Sequence, residues 1–514
     1  MRVSFRLRSC IPALVLPALA IGCASTAPSA PGSGDTPAPL ASYVLLGESP
    51  SGEPVALARV ILPSGQSCPE LVGGGRAIPM QKRLNPHGFE VDVCEAAVPF
   101  ERRFTVGDGG PALPVARRTV ERVAVVGDSG CKPKNQDGCG LDDPAWPFPA
   151  LTQAAAGRKP DLVLHVGDYN YRGTPSGFEQ TVNGQQVQQW YYDAGDGAEP
   201  SEQCEMPGPY YSQNSTGNPD ADAWQAWWLD FFQPAAKLLA AAPWVFARGN
   251  HELCSHAGPG WFYFLDASSR LPEGGGTQLA CPAQDSGGPA LPHLALVPPR
   301  VLALQGLTLA VLDSANACDE LPNFADLYAG QMAAIAARIE RHRGDSPVWL
   351  MSHRPVWGVE GTADGPPYGC DGQPGSGAAA PYGVLNRTLQ CAFAKEPGAA
   401  LLPRLDLLLA GHMHRFESLA FAAGSGRPPG LVVGNSGVQE DTEPPQGSFQ
   451  QVVDGATASG FSVAEFGFLE LKRSEDKSWH GTVVTTNPSA WAPHLEPCSD
   501  TGSERPFLCV EGLD

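Results

Sequence analysis

Basic residues are scarce in this chain: 34 Lys and Arg stand against 54 Asp and Glu, a formal net charge of −20 at pH 7. That balance argues against a nucleic-acid-binding surface and leaves any phosphate site dependent on a local positive island, such as bound metal. No two of the 14 cysteines are spaced CxxC, so a thiolate zinc site is not expected. The apolar run Ile11 to Ile21 is too short to span a bilayer. No internal repeat is evident either, which sets solenoids and propellers aside. With 514 residues and a 42% hydrophobic share, what remains is a globular chain with ample material for a large core.

What is present at the amino terminus describes export. Arg2, Arg6 and Arg8 precede the apolar run, and small residues follow it. Leu19-Ala20-Ile21-Gly22-Cys23 resembles a bacterial lipobox, in which Cys23 is lipidated and anchors the chain to a membrane of the cell envelope. Ala20 departs from the leucine usual there, and cleavage after Ala20 would instead give a secreted form. Loss of residues 1–22 removes three arginines and no acid, taking the net charge from −20 to −23. Cys10 and Cys23 aside, an even dozen cysteines reads as a disulfide framework, with Cys68–Cys94, Cys131–Cys139 and Cys498–Cys509 as plausible pairs.

Residues 23–41 are rich in Ala, Pro, Ser and Gly and form a tether. Residues 42–116 alternate short apolar segments with Gly and Pro turns and read as a small all-β domain without evident chemistry. From 117 to 490 strands alternate with helices, and 491–514 read as a disulfide-closed tail. Trp224, Trp227, Trp228 and Phe231 predict a core-packed aromatic helix closed near Pro234. Tyr328, Met332, Ile335 and Ile339 predict a second helix with one apolar face.

The stretch Asp161 to Tyr171, DLVLHVGDYNY, is an apolar run that stops at a glycine and then presents Asp168 and Tyr171. In a parallel α/β sheet the carboxyl ends of strands are where loops converge and sites assemble. Asp128 follows Val123 to Val126, Asn250 follows Trp244 to Ala247, His353 follows Val348 to Met351, and His412 with His414 follow Leu405 to Ala410. Singly, a Gly-Asp is a turn, and Asn250, Tyr171 or His353 is an ordinary hydrogen-bonded side chain. His412 and His414, two apart in an extended segment, project to the same side. The conjunction carries more than its parts, because two-metal hydrolysis needs this mixture of carboxylate, amide and imidazole.

Taken in order, GDSG, GDYNY, GNHE, LMSH and GHMH resemble the motifs of the calcineurin-like metallophosphoesterase superfamily in its purple acid phosphatase-like branch. Gly130, where many members carry histidine, and Tyr171, three after the bridging aspartate, are that branch's marks. The resemblance spans roughly Val123 to Gly437 and implies an α/β fold, a two-sheet α/β/β/α sandwich, here preceded by the small all-β domain. It implies two metal ions: one, favouring Fe(III), on Asp128, Asp168, Tyr171 and His414, and another, Zn, Mn or Fe, on Asp168, Asn250, His353 and His412. It implies that His251 contacts the phosphoryl group and protonates the leaving oxygen, with Glu252 as an orienting partner. Arg354 is left without a role, and His165, inside an apolar strand, reads as core.

The reaction so implied is phosphomonoester hydrolysis by water that the two cations activate. Phosphodiester hydrolysis by the same metal pair is the alternative, since the inserts 131–149 and 173–220 shape the entrance. A non-catalytic surface protein that binds a partner on this fold is the alternative from another class. Its mark would be a missing ligand, and no ligand is missing.

Overall fold

Three strands buried along nearly their whole length, Arg122–Val126, Leu162–His165 and Trp244–Phe246, pair in parallel at the centre of an eleven-stranded sheet. Such strands need cover on both faces, which is why they read as unbroken apolar runs. The coordinates are a computed structural model. It describes residues 38–486, apart from 132–138, 173–177, 183–184, 190–221, 255, 282–295, 320–321, 323, 343, 362–367, 374–382 and 444, together with 494–497 and 508–510. The expected export segment, Cys23, the tether up to residue 37 and the Cys498–Cys509 pair lie outside the described residues.

On one side of the central three, Gly467–Arg473 pairs antiparallel with Arg122–Val126 and leads outward through Trp479–Thr485, His494–Pro497 and Leu508–Val510. On the other side Ala41–Glu48 pairs in parallel with Trp244–Phe246, Leu45 opposite Trp244. Pro54–Pro63, Val91–Val98 and Gln81–Lys82 follow to the edge. The amino-terminal all-β region is therefore present, and these strands continue the first sheet. Arg300–Leu304, Leu307–Val311, Val348–Met351, Leu407–Ala410, Gly430–Val433, Phe416–Phe421, Ala456–Val463 and Gly447–Val453 form the second sheet in that order, with four neighbouring strands, Leu307–Val311 to Gly430–Val433, in parallel.

Alternate residues separate the layers, as the two-residue period of a strand requires. Val123, Val125, Leu162 and Leu164 pack with Leu309, Met351 and Leu409 between the sheets. Ala124, Val126 and Val163 face the helices Phe148–Gly157, Ala236–Ala241 and Gly258–Phe264. Ala310, Leu350 and Leu408 face Ala325–Arg341 and Arg387–Ala394. The result is the expected helix, sheet, sheet, helix sandwich. Trp227 and Phe231 are buried in the first sheet's outer core, although their helical segment passes from α, Trp224–Trp227, into a π turn, Trp228–Phe232. Tyr328, Met332, Ile335 and Ile339 are buried along one helix, as their spacing predicts.

Disulfides join Cys68 to Cys94 and Cys131 to Cys139, the two expected pairs within reach, and also Cys254 to Cys281 and Cys370 to Cys391. Among the described residues no helix is long and apolar enough to cross a membrane. The amino-terminal strands are tied to the helix Gly258–Phe264 by charge. Arg59 and Arg83 are both buried, and both pair with Glu95, at 3.4 and 2.8 Å. Arg59 Nη1 donates to Phe264 O at 2.7 Å, and Arg83 donates to Phe262 O at 3.1 Å and Tyr263 O at 3.2 Å. The last carbonyls of a helix lack partners within it, so two guanidinium groups cap this end.

Candidate metal centre

Strands of both sheets point their carboxyl ends at one place. The first sheet delivers Asp128, Asp168 with Tyr171, and Asn250 with His251; the second delivers His353, then His412 and His414. The chain must turn sharply as each strand ends, and Asp128, Asp168 and His412 all adopt left-handed backbone, with φ of 52°, 58° and 76°. Residues with a Cβ pay strain there, a feature that clusters at functional sites. Two glycines make the approach possible. A Cβ on Gly249 would lie 1.9 Å from Asp168 Oδ1, and one on Gly130 would meet Tyr169 O at 2.6 Å and Tyr171 Cδ2 at 2.8 Å. A side chain at 130 and the Tyr171 ring compete for the same space.

All seven expected ligands form one connected group. Tyr171 Oη lies 3.2 Å from Asp128 Oδ1, 3.1 Å from Asp168 Oδ2 and 3.2 Å from His414 Nε2. Asn250 Oδ1 lies between two imidazoles, 2.8 Å from His353 Nε2 and 3.0 Å from His412 Nδ1. Asp168 Oδ2, 3.3 Å from His353 Nε2, belongs to both sets. Asp168, His353 and His412 offer ligand atoms within 4.8 Å of one another. Asp128, Asp168, Tyr171, Asn250 and His353 are at most 3% exposed.

Groups behind the centre settle which atoms face it. His353 Nδ1 donates to Val166 O at 2.9 Å, so Nε2 carries the lone pair towards Asn250 and Asp168. Lone pair faces oxygen there, an arrangement that a cation reconciles. Asp319 Oδ2 accepts from His412 Nε2 at 3.0 Å, turning Nδ1 inward, and His414 Nδ1 lies 3.5 Å from Asp441 Oδ1. Metal-binding histidines are oriented by such partners. Ser314 Oγ accepts from the backbone N–H groups of His353 and Arg354, at 3.0 and 2.8 Å. Arg354 is buried and pairs with Asp319, which gives it a structural place.

Burial and mutual repulsion perturb the ionisable groups of the centre. Burial, and then the Asp168 charge, hold Asp128 well above the usual carboxylate range. Burial, Asp168 and Asp128 push the Tyr171 phenol well above its ordinary value. Asp168 is buried too, but the His353, His251 and His412 imidazoles outweigh that and hold it well below the usual range. Crowded oxygen donors that resist ionisation together, mixed with imidazoles, are a donor set suited to Fe, Mn or Zn. The residues fit a pair of cations.

His251 stands beside this group. Its backbone N–H donates to Asp168 Oδ1 at 3.1 Å, its ring lies 4.0 Å from that of Tyr171, and its side chain is 11% exposed. Glu252 does a different job from the one expected of it. Its carboxylate accepts from the backbone N–H groups of Asp168, Tyr169, Asn170 and Gly249, at 2.9 to 3.2 Å, and so clamps the loop that carries Asp168. His165 is core as expected, bonded to Ser129 Oγ at 2.8 Å and stacked on Tyr169. Asp319, Asp441 and Ser314 were not singled out from the sequence. Two of them lie in DSANACDE after the strand Leu307–Val311, a density of Asp, Ser and Asn at a sixth strand end that could have marked them.

No curated protein matches the chain. Among solved structures it is similar to a purple acid phosphatase from yellow lupin (Lupinus luteus) seeds, at 14% identity over 91% of this chain and 74% of that one, with a TM-score of 0.44. It is similar to PhoD at 13% identity over 94% of each chain, TM-score 0.46, and to the Plasmodium inner-membrane-complex anchor GAP50 at 10% identity over 73% of this chain and 88% of that one, TM-score 0.34. The calcineurin-like phosphoesterase family model matches residues 121–416, more than half of the chain and all five strand ends that build the centre. The chain belongs to the calcineurin-like phosphoesterase family and is a metal-dependent phosphoesterase whose family implies a dinuclear centre.

Proposed function

We propose that this protein is an exported phosphatase that hydrolyses phosphomonoesters. In this reading Asp128, Asp168, Tyr171 and His414 hold one ion, and Asp168, Asn250, His353 and His412 hold the other. The observation that carries it is the sharing of Asp168: the oxygens and nitrogens around Tyr171 Oη and those around Asn250 Oδ1 are two donor sets joined by one carboxylate. A phenol among hard oxygens favours Fe(III) in the first set, and the imidazoles and amide of the second suit Zn, Mn or Fe in the divalent state. Bound there, two cations supply Lewis acidity, lowering the pKa of water and offsetting the charge that builds on phosphoryl oxygens.

The chain's own residues do the rest. Glu252 and Gly249 fix where Asp168 points, and Val166 O and Asp319 fix which imidazole nitrogens turn towards the Asn250 oxygen and the ion proposed there. His251, held over Tyr171 at the margin of the buried cluster, donates a proton to the leaving oxygen. Disulfides suit an oxidising compartment, which supports export, with Cys23 lipidated as the membrane anchor.

The test is hydrolysis of a chromogenic phosphomonoester and a phosphodiester by purified protein, with metal content measured alongside. Two ions per chain and faster monoester cleavage are expected. A preference for the diester would make it a phosphodiesterase. If metal-loaded protein cleaves neither and retains a partner on a column, the hydrolase reading is lost.

A further inference from the structure

Asp319 lies outside all five motifs, yet its carboxylate is held by three side chains behind the centre. Its Oδ2 accepts from His412 Nε2 at 3.0 Å and from Arg354 Nη1. Its Oδ1 accepts from Asn386 Nδ2 at 2.6 Å. Asn386 is itself pinned, for its Oδ1 caps the helix Arg387–Ala394 by accepting from Leu389 N at 3.0 Å, and its Nδ2 also donates to Ala317 O at 3.0 Å. The backbone on either side of Asp319 docks on the same helix start: Arg387 N–H donates to Asp319 O at 2.8 Å, Thr388 N–H to Cys318 O at 3.2 Å, and Cys318 N–H to Thr388 Oγ1 at 3.0 Å. Cys318 is also disulfide-bonded.

A carboxylate so fixed, at 3.0 Å, is a closer partner of His412 Nε2 than Arg354 Nη1 at 3.3 Å and draws the proton to Nε2. Nδ1 then faces Asn250 Oδ1, 3.0 Å away. We propose that Asp319 is a positioning residue for the second cation, holding His412 so that Nδ1 presents its lone pair to the ion. The inference rests on the ligand assignment proposed above. It extends that assignment to a segment, Ala317 to Asp319, that meets the centre through the His412 ring and Arg354.

The experiment is a competition titration of apo-protein with Zn2+ against a chromophoric chelator, which reads both binding constants without reference to turnover, on wild type, D319N, H412A and the double variant. D319N is expected to weaken the looser of the two constants by about 10- to 100-fold and leave the tighter one within about twofold, the range for loss of a ligand's hydrogen-bond partner. Because Asp319 acts through His412, D319N should cost nothing further in the H412A background. Asp319→Glu keeps a charge beside Arg354 while displacing the acceptor from Nε2, and it carries the test if D319N does not fold. It too is expected to bind the second Zn2+ more weakly than wild type. Wild-type affinity in D319N or D319E, or an equal loss with and without His412, overturns the inference. H412A that still binds two ions at wild-type affinity would instead sink the ligand assignment, and the two failures are distinct.

Discussion

The backbone N–H of Asp168 donates to Glu252 Oε2 at 3.2 Å, so the carboxylate proposed to join the two ions is held from behind by a residue outside the proposed ligand set. Both Glu252 oxygens accept two backbone N–H groups, a need that only a carboxyl with two acceptor atoms meets. In Glu252→Gln the amide nitrogen confronts two donors, at about 1–3 kcal/mol for each one left without an acceptor. A thermal midpoint lowered by several degrees and reduced metal content are expected together. An unchanged midpoint with full metal occupancy would show that the clamp is dispensable.

Asn250→Ala removes the oxygen that stands between His353 and His412 and leaves the strand Trp244–Phe246 untouched. The variant is expected to keep its fold, lose about one ion per chain and lose turnover. Metal analysis with circular dichroism checks the first two outcomes, and normal rates would contradict the assignment of the second ion.

Tyr171→Phe keeps the ring and removes the phenol oxygen that lies near Asp128, Asp168 and His414. If that oxygen binds Fe(III), the purified protein is coloured and the variant is bleached. A visible band that persists in the variant would assign the colour to another group.

Glu417 is buried, with Oε1 accepting from Val359 N–H at 2.9 Å, and burial raises its carboxyl from 4.5 to about 8. The folded chain therefore binds a proton there that the unfolded chain releases above pH 4.5. Its contribution to stability is full below pH 4.5, declines as pH rises and is gone above about 8. Glu417→Gln, neutral throughout, should match wild type near pH 4.5 and exceed it increasingly towards pH 8. Thermal melts across that window read the difference, and parallel curves would mean that Glu417 is ionised in the fold.

Most of the proposed ligands were legible because Asp128, Asp168, Asn250, His353 and His412 each follow a Gly or Ser just beyond an apolar strand, with Tyr171 and His414 a few residues on, a context that survives in one dimension. The groups behind them were not. Asp319 and Asp441 acquire meaning through partners far along the chain, and Glu252 looked like a companion of His251 because only folding shows that its carboxylate turns to the Asp168 loop. The strands Gly447–Val453 and Ala456–Val463 escaped notice because alternating exposure leaves them polar and glycine-bearing. The helix Gly258–Phe264 begins Gly-Pro-Gly, which reads as a turn until Arg59 and Arg83 are seen to cap its far end.

The pairing of Leu45 with Trp244 also orders events during synthesis. Ala41–Glu48, the earliest strand among the described residues, is synthesised long before the segment that will flank it, and contacts so distant in sequence form slowly. Until then Ala41–Glu48 has Pro54–Pro63 on one side and an open edge on the other, the kind of edge that recruits foreign strands. A chaperone that shields this nascent hairpin until residue 244 appears should therefore raise the yield of native protein.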